Sequence, residues 1–225
     1  MYKMVYIFNI EGNIGSGKST LVRILEKEIK YINSIPIIYV QEPVDEWNTI
    51  KDKNGQTILE KFYSNQHKYA FSFQMMAYIS RLSLVKRIIR NNPNAIIICE
   101  RSVFTDKEVF AKMLYDDGKI EEINYQIYLK WFNEFIEDIP TSGIIYVNTT
   151  PENSKKRVDF RARLGEDIQL EYLKKCHNYH NNWLMNSGEI IFNFDGNNDF
   201  CDCITTQSID NIKEFILQII SSKFK

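Results

Sequence analysis

The sequence predicts an α/β fold in three layers, a central five-stranded parallel sheet with helices on both faces. Three observations carry this expectation. Short apolar runs of strand length alternate with longer segments whose apolar residues recur at helical spacing. Between the first strand and the first helix lies Gly12-Asn13-Ile14-Gly15-Ser16-Gly17-Lys18-Ser19, which fits G-x-x-x-x-G-K-[ST]. No repeat and no Pro/Gly/Ser-rich linker divides the 225 residues, so positions 1–225 read as a single domain.

Met4–Ile10 is a short apolar run suited to a buried strand. The glycines after it let the backbone curl so that successive N–H groups face one anion. Lys18 adds a cation for β- and γ-phosphates, and Ser19 offers a hydroxyl to Mg²⁺. Thr20 opens a helix in which Leu21, Ile24, Leu25 and Ile29 share one side, and whose end is expected near Tyr31–Ser34. Strand, glycine loop and helix N-terminus together bind phosphate, because the helix dipole favours an anion there. The whole therefore reads as a P-loop NTPase-type fold. Ile37–Val40 is the second strand, with Gln41-Glu42-Pro43 at its carboxyl end, and Asp45–Gly55 reads as a polar loop around Trp47. A long helix carries Phe71, Met75, Ile79, Leu82, Val85 and Ile89. Ala95–Cys99 is the third strand, followed by Glu100-Arg101-Ser102 and by helices near Asp106–Tyr115 and Glu121–Phe135. Gly143–Val147 is the fourth strand. Pro151 then opens a helix running into Arg157–Arg163, since proline suits a first helical turn. A helix over Leu170–Leu184, a fifth strand over Ile190–Phe194 and a last helix over Ile209–Ile220 complete the chain. Ligands of such sheets collect at the carboxyl ends of the strands, where Gly12–Ser19, Glu42 and Glu100-Arg101 all fall.

Apolar residues make up 44% of the chain, enough for a core, and the net charge is −1 with no basic block. A nucleic-acid polymer is therefore excluded as a partner, because phosphate contacts demand clustered Lys and Arg. No run of about 18 apolar residues exists to span a membrane. The apolar N-terminal run is short and leads straight into the glycine loop, so no signal or transit peptide is evident and a cytoplasmic location is expected. Cys201-x-Cys203 with His177 and His180 matches no common zinc spacing, and Cys99 sits in an apolar strand; the four cysteines read as reduced thiols.

A phosphate loop implies a nucleoside triphosphate but leaves the acceptor open. Transfer to a neutral hydroxyl needs a general base, whereas an acceptor that is already a phosphate needs only cations. Glu42, beside Pro43 just past a strand, suits that base. Glu100 ends a very apolar strand, where an unpaired carboxylate is costly; Arg101 or Mg²⁺ would satisfy it. Arg157 and Arg161 are four apart and share a helix face, and Arg163 follows. Three cations together suit a lid, about residues 157–168, over a transferring phosphoryl group.

The sequence resembles the deoxyribonucleoside kinases, the family of deoxycytidine, deoxyguanosine and insect-type broad-specificity enzymes. Five blocks carry the resemblance in the family's order: Glu11–Thr20; Gln41–Val44 with Trp47; Phe71–Gln74 through Ser80-Arg81; Glu100–Ser102 with Asp106; and Arg161–Arg163 with Glu166 and Leu170–Leu173. The lid is one residue shorter than the usual pattern before Leu170. The resemblance implies transfer from ATP with Mg²⁺ to the 5′-hydroxyl of a deoxynucleoside, in a homodimer. Glu42 would deprotonate that hydroxyl, with Arg101 close by and Lys18, Arg157, Arg161 and Arg163 around the phosphates. Ser19 and Glu100 would hold Mg²⁺. Tyr63 and Glu166 would hold the 3′-hydroxyl. Gln74 would pair with the base edge, among Trp47, Phe73 and Phe104. Phe194–Phe200, with Asp195, Asn198, Asp199 and Phe200, looks like the loop that contacts the adenine of ATP.

Arg81 and Asp106 face the base in this family, and bear on which base is accepted. A buried carboxylate needs a donor, which the amino group of cytosine or adenine supplies and the carbonyl of thymine does not. Deoxycytidine, deoxyadenosine or deoxyguanosine is expected ahead of thymidine. The alternative is a thymidylate-kinase-like nucleoside monophosphate kinase, whose anionic acceptor Glu42 would repel. A non-catalytic nucleotide switch is disfavoured, since no Asn-Lys-x-Asp motif is present.

Overall fold

The computed structural model describes residues 5–136, 139–163, 166–198 and 206–222. The apolar runs become β1 (Tyr6–Glu11), β2 (Tyr31–Ile32), β3 (Ile35–Val40), β4 (Ile96–Glu100), β5 (Gly143–Asn148) and β6 (Ile191–Asp195). They lie side by side in the order β2-β3-β4-β1-β5-β6. All pairings are parallel except that of β2 with β3. The sheet thus has six strands rather than five. The extra one arises because the first helix stops at Glu28, and Asn33 (φ 47°) and Ser34 (φ 64°) form a two-residue hairpin turn. Positive φ at both turn residues matches the twist of the flanking strands.

The helices are α1 (Lys18–Glu28), α2 (Val44–Trp47), α3 (Ile58–Ser64), α4 (Gln66–Asn91), α5 (Val103–Thr105), α6 (Lys112–Asp116), α7 (Glu122–Phe135), α8 (Pro151–Arg161), α9 (Leu170–Asn186) and α10 (Thr206–Ser222). Between α5 and α6, Asp106–Ala111 winds as a π-helix. β1 is central and buried along its whole length. Its alternate residues feed two layers: Tyr6, Phe8 and Ile10 pack with α1 and α10, and Ile7 packs with Tyr78, Leu82, Tyr128 and Phe132 of α4 and α7. This is the period of two that a strand buried on both faces must satisfy.

Capping residues fix where the elements around the cleft begin. Thr57 and Glu60 form a reciprocal capping box on α3, and the Asn65 side chain caps α4. Thr150 caps α8, Pro151 occupies its first turn, and Ala162 in the left-handed region (φ 44°) ends it, so Arg163 lies beyond the helix. The stretch after Glu42 is not all loop: α2 brings Trp47 into the core, 5% exposed, because its indole finds apolar neighbours and its N–H finds the Ser80 hydroxyl.

Candidate active site

The carboxyl ends of β1, β3 and β4 open into one cleft of about 690 Å³, roofed by α8 and flanked by α2, α3 and α4. Its floor is the glycine loop. Gly12 (φ 146°) and Gly15 (φ 75°) adopt backbone geometry that other residues resist, and a methyl group on Gly15 would lie 2.5 Å from the Ser154 carbonyl of α8. Asn13 serves the loop itself: its amide donates to the Leu173 carbonyl (2.8 Å) and its oxygen accepts from Ile14 N (2.8 Å). The Ser16 carbonyl accepts from Thr149 and from Arg157, each at 3.0 Å. Ile14, Gly15, Gly17, Lys18, Ser19 and Thr20 line the cleft, whereas Gly12, Asn13 and Ser16 stand behind it. Lys18 Nζ donates to the Asn13 carbonyl (2.6 Å). Burial first, then the Arg101 charge, lowers its pKa from 10.5 to about 7 despite nearby carboxylates.

Ser19 donates to the Glu100 carboxylate at 2.5 Å. Of the two partners expected for Glu100, Arg101 or Mg²⁺, Arg101 does not meet it, and its carboxylate accepts from this hydroxyl instead. Arg101 turns the other way and meets Glu42 (3.5 Å) and the Gly12 carbonyl (2.9 Å). The Glu42 carboxylate accepts from Arg81 at 2.8 Å. Burial would raise its pKa, but Arg81 and then Arg101 outweigh it and hold the group at about 2. Arg81 also donates Nε to Asp106 (2.9 Å) and Nη1 to the Glu100 carbonyl (3.2 Å). Burial alone would lower the Arg81 value; Asp106 and Glu42 reverse that and keep the guanidinium protonated. Burial pushes the Asp106 carboxyl up, against the pull of Arg81.

At the inner end, Gln74 is 2% exposed, and its Oε1 has no hydrogen-bond partner among the described residues. A buried amide oxygen without a partner is costly unless a ligand supplies a donor. Trp47 and Phe62 set the ring of Phe73 beside it, edge-on at 5.5 Å and stacked at 4.7 Å. Phe104 does not join them: it packs edge-on against Phe132 at 5.7 Å and lines a separate cavity. Phe110 lines the cleft instead, with its ring 5.1 Å from the Arg101 guanidinium. Phe104 lies in α5, ahead of the π-helix, and Phe110 lies within it.

The lid arginines divide their contacts. Arg161 donates to Glu166 at 2.6 Å, and Arg163 lies 3.9 Å from the same carboxylate. Tyr63 and Glu166 both line the cleft, and burial, then the Glu166 charge, raises the Tyr63 pKa. Arg157 braces the loop, donating to Ser16 and to the Asn198 carbonyl (2.8 Å). Asp195 shapes the following turn by accepting from Asn197. Neither Asp195 nor Asn198 lines the cleft, and Asp199, Phe200, Cys201 and Cys203 lie outside the described residues. Cys99 and Cys176 are buried free thiols. No helix among the described residues is long and apolar enough to cross a membrane.

The arrangement presents a triphosphate loop, a permanently ionised carboxylate and an apolar slot ending in amide and charged groups. Residues 8–220 match the family model for deoxynucleoside kinases. A probable deoxycytidine kinase of fowlpox virus is 36% identical, covering 94% of this chain and 88% of its own length. Deoxycytidine kinase 2 of Gallus gallus is 35% identical over 92% of this chain and 89% of its own. The mitochondrial deoxyguanosine kinase of Xenopus laevis is 30% identical over 78% and 72%.

Proposed function

The chain belongs to the deoxynucleoside kinase family, and from that premise we propose how its cleft passes the γ-phosphoryl group of ATP to the 5′-hydroxyl of a deoxynucleoside. It is a transferase of nucleotide salvage with ATP as the phosphate donor. The observation that carries the residue assignment is the Glu42 carboxylate, 22% exposed at the cleft and held between Arg81 and Arg101 across from Lys18 and Ser19.

In this reading Glu42 accepts the 5′-hydroxyl proton, and Arg101 steadies that carboxylate. Lys18, Arg161 and Arg163 offset charge that grows on the transferring group, and Arg157 secures the loop. Tyr63 and Glu166 hold the 3′-hydroxyl. Ser19 and Glu100 supply two hard oxygen donors within hydrogen-bond reach of each other, a set that fits Mg²⁺ when phosphate oxygens complete it. Mg²⁺ bound there supplies positive charge to the β- and γ-phosphates. The donor adenine is assigned to the segment after β6 on the family resemblance alone. An acceptor that is already a phosphate would meet Glu42 as a like charge. The thymidylate-kinase-like alternative therefore has no support in this cleft or in the family.

The base is read by Gln74, Arg81 and Asp106, with Trp47 and Phe73 packed around it. The Gln74 carboxamide can pair with several bases, whereas the Arg81–Asp106 pair favours an exocyclic amino group over the thymine carbonyl. Deoxycytidine or a purine deoxynucleoside is thus preferred to thymidine. The deciding assay is ATP-dependent phosphorylation of deoxycytidine, deoxyadenosine, deoxyguanosine, thymidine and the matching monophosphates. Transfer to the amino-bearing nucleosides with poor transfer to thymidine is the expected result; efficient transfer to thymidine overturns the base readout, and activity on monophosphates alone overturns the role of Glu42. Arg81→Met with Asp106→Ala removes the pair together and should admit thymidine. Thymidine kinetics unchanged in that double variant would reject the assignment.

A homodimer also belongs to this reading. Ile123, Ile127, Trp131 and Phe135 form an exposed stripe on α7 at a spacing of four. A self-complementary apolar face of this kind suits a second copy of the chain. The free thiols of Cys99 and Cys176 support a reducing, cytoplasmic setting.

A further inference from the structure

We propose that His180 is a positioning residue for Arg101, a neutral imidazole whose Nε2 accepts from the guanidinium and fixes its aim on Glu42. The inference rests on the role given to Arg101 above. Arg101 needs such a guide for two reasons. Its backbone lies in the left-handed region at φ 64°, a strained conformation that a non-glycine residue keeps only where its surroundings impose it. Its side chain is 3% exposed, so water does not orient it.

Around the guanidinium stand the Gly12 carbonyl at 2.9 Å, Glu42 at 3.5 Å, the Phe110 face at 5.1 Å and His180 Nε2 at 3.5 Å from Nη1. The tautomer of His180 follows from its other nitrogen. Nδ1 lies 2.7 Å from the Cys176 carbonyl oxygen, which only accepts, so Nδ1 carries the proton. In a neutral ring Nε2 is then an acceptor, and Arg101 is a donor with no acceptor of its own. His180 is fully buried, with Tyr146 stacked on it and Phe110 edge-on. Burial, then the Arg101 charge, drives its pKa well below the ordinary value, in keeping with the neutral form.

The choice of histidine has a physical consequence. A carboxylate here would pair with Arg101 and draw its charge away from Glu42 and the phosphoryl group. A neutral acceptor orients the cation and leaves that charge in place.

Two substitutions separate the ring's two hydrogen bonds. His180→Asn keeps a donor for the Cys176 carbonyl and withdraws the acceptor for Arg101, while His180→Gln keeps an acceptor near the Nε2 position and gives up the Cys176 bond. His180→Asn is expected to lower kcat about 10- to 100-fold, the scale of a small misplacement, while KM for ATP stays within about twofold. His180→Gln should keep kcat within about threefold of the parent, whatever its Tm. Arg101→Met combined with His180→Asn should lose no more than Arg101→Met alone, because a residue acting through another adds nothing once that one is gone. Parent-like kcat in His180→Asn, or losses that multiply in the double variant, overturns the positioning role and leaves the kinase reading intact. Parent-like kcat in Arg101→Met overturns the role given to Arg101 and the positioning role with it, and leaves the kinase activity standing. Nitrogen NMR of the unmodified protein at neutral pH tests the tautomer without any variant: protonated Nδ1 and bare Nε2 are expected, and a proton on Nε2 overturns the proposal.

Discussion

Glu42 is a weak base that is always ready, because two guanidinium groups hold its pKa at about 2. In a loose phosphoryl transfer the nucleophile's proton leaves late, so an ionised, well-aimed acceptor matters more than a strong one. Glu42→Gln should lower kcat by about 10²–10⁴ with little change in ATP affinity, and a parent-like kcat would remove Glu42 from the chemistry. Because the folded value lies below the ordinary 4.5, ionised Glu42 stabilises the fold above pH 4.5, and that contribution fades as pH falls toward about 2. Acid unfolding followed by circular dichroism should therefore shift less with pH in Glu42→Gln over that interval than in the parent. Lys18 runs the other way. With its pKa lowered to about 7 from 10.5, it is largely neutral above pH 7 in the free protein, and a bound triphosphate restores its charge. ATP binding between those values should take up as much as one proton, measured by calorimetry in buffers of different ionisation enthalpy. Binding without proton uptake would mean that Lys18 is already charged.

At the scale of elements, the glycine loop and α8 form one unit. Gly15 abuts the Ser154 carbonyl and the Val158 side chain of α8, and Arg157 on the same helix donates into the loop. Gly15→Ala adds a methyl group where none fits and a side chain where φ is positive, so α8 must move off the loop. Overpacking of this kind costs about 1–3 kcal/mol, and KM for ATP should rise roughly tenfold or more. An unchanged KM would show that the lid helix is not seated on the loop. The π-helix at Asp106–Ala111 is the other element that shapes the cleft: it starts at the carboxylate that pairs with Arg81 and turns Phe110 onto Arg101.

At the scale of the molecule, the residues that line the cleft include none of α7, whose exposed stripe lies on a separate surface. Trp131→Glu with Ile127→Glu places two charges on an exposed helix face, where folding is little affected but a paired apolar face is not tolerated. Sedimentation should show the parent as a dimer and this variant as a monomer with an unchanged helical spectrum; a variant that remains dimeric would exclude this face as the interface.

The sequence by itself determined the alternation of strands and helices, the phosphate loop, and the carboxyl-end positions of Glu42 and Glu100. Those properties depend on neighbours a few residues apart, where periodicity, capping and glycine geometry act. It did not determine the small hairpin at Asn33-Ser34 or the burial of Trp47, which depend on what the rest of the sheet and α4 leave open. Only the tertiary structure decided who pairs with whom. Glu100 closes β4 and reaches Ser19, while Arg101, just past the strand with its backbone in the left-handed region, reaches Glu42. Phe110 and not Phe104 lines the cleft, and His180 meets Arg101 across 79 positions of chain. Many acids and bases along the chain could serve as partners by type; packing the sheet and helices brings together the few that meet.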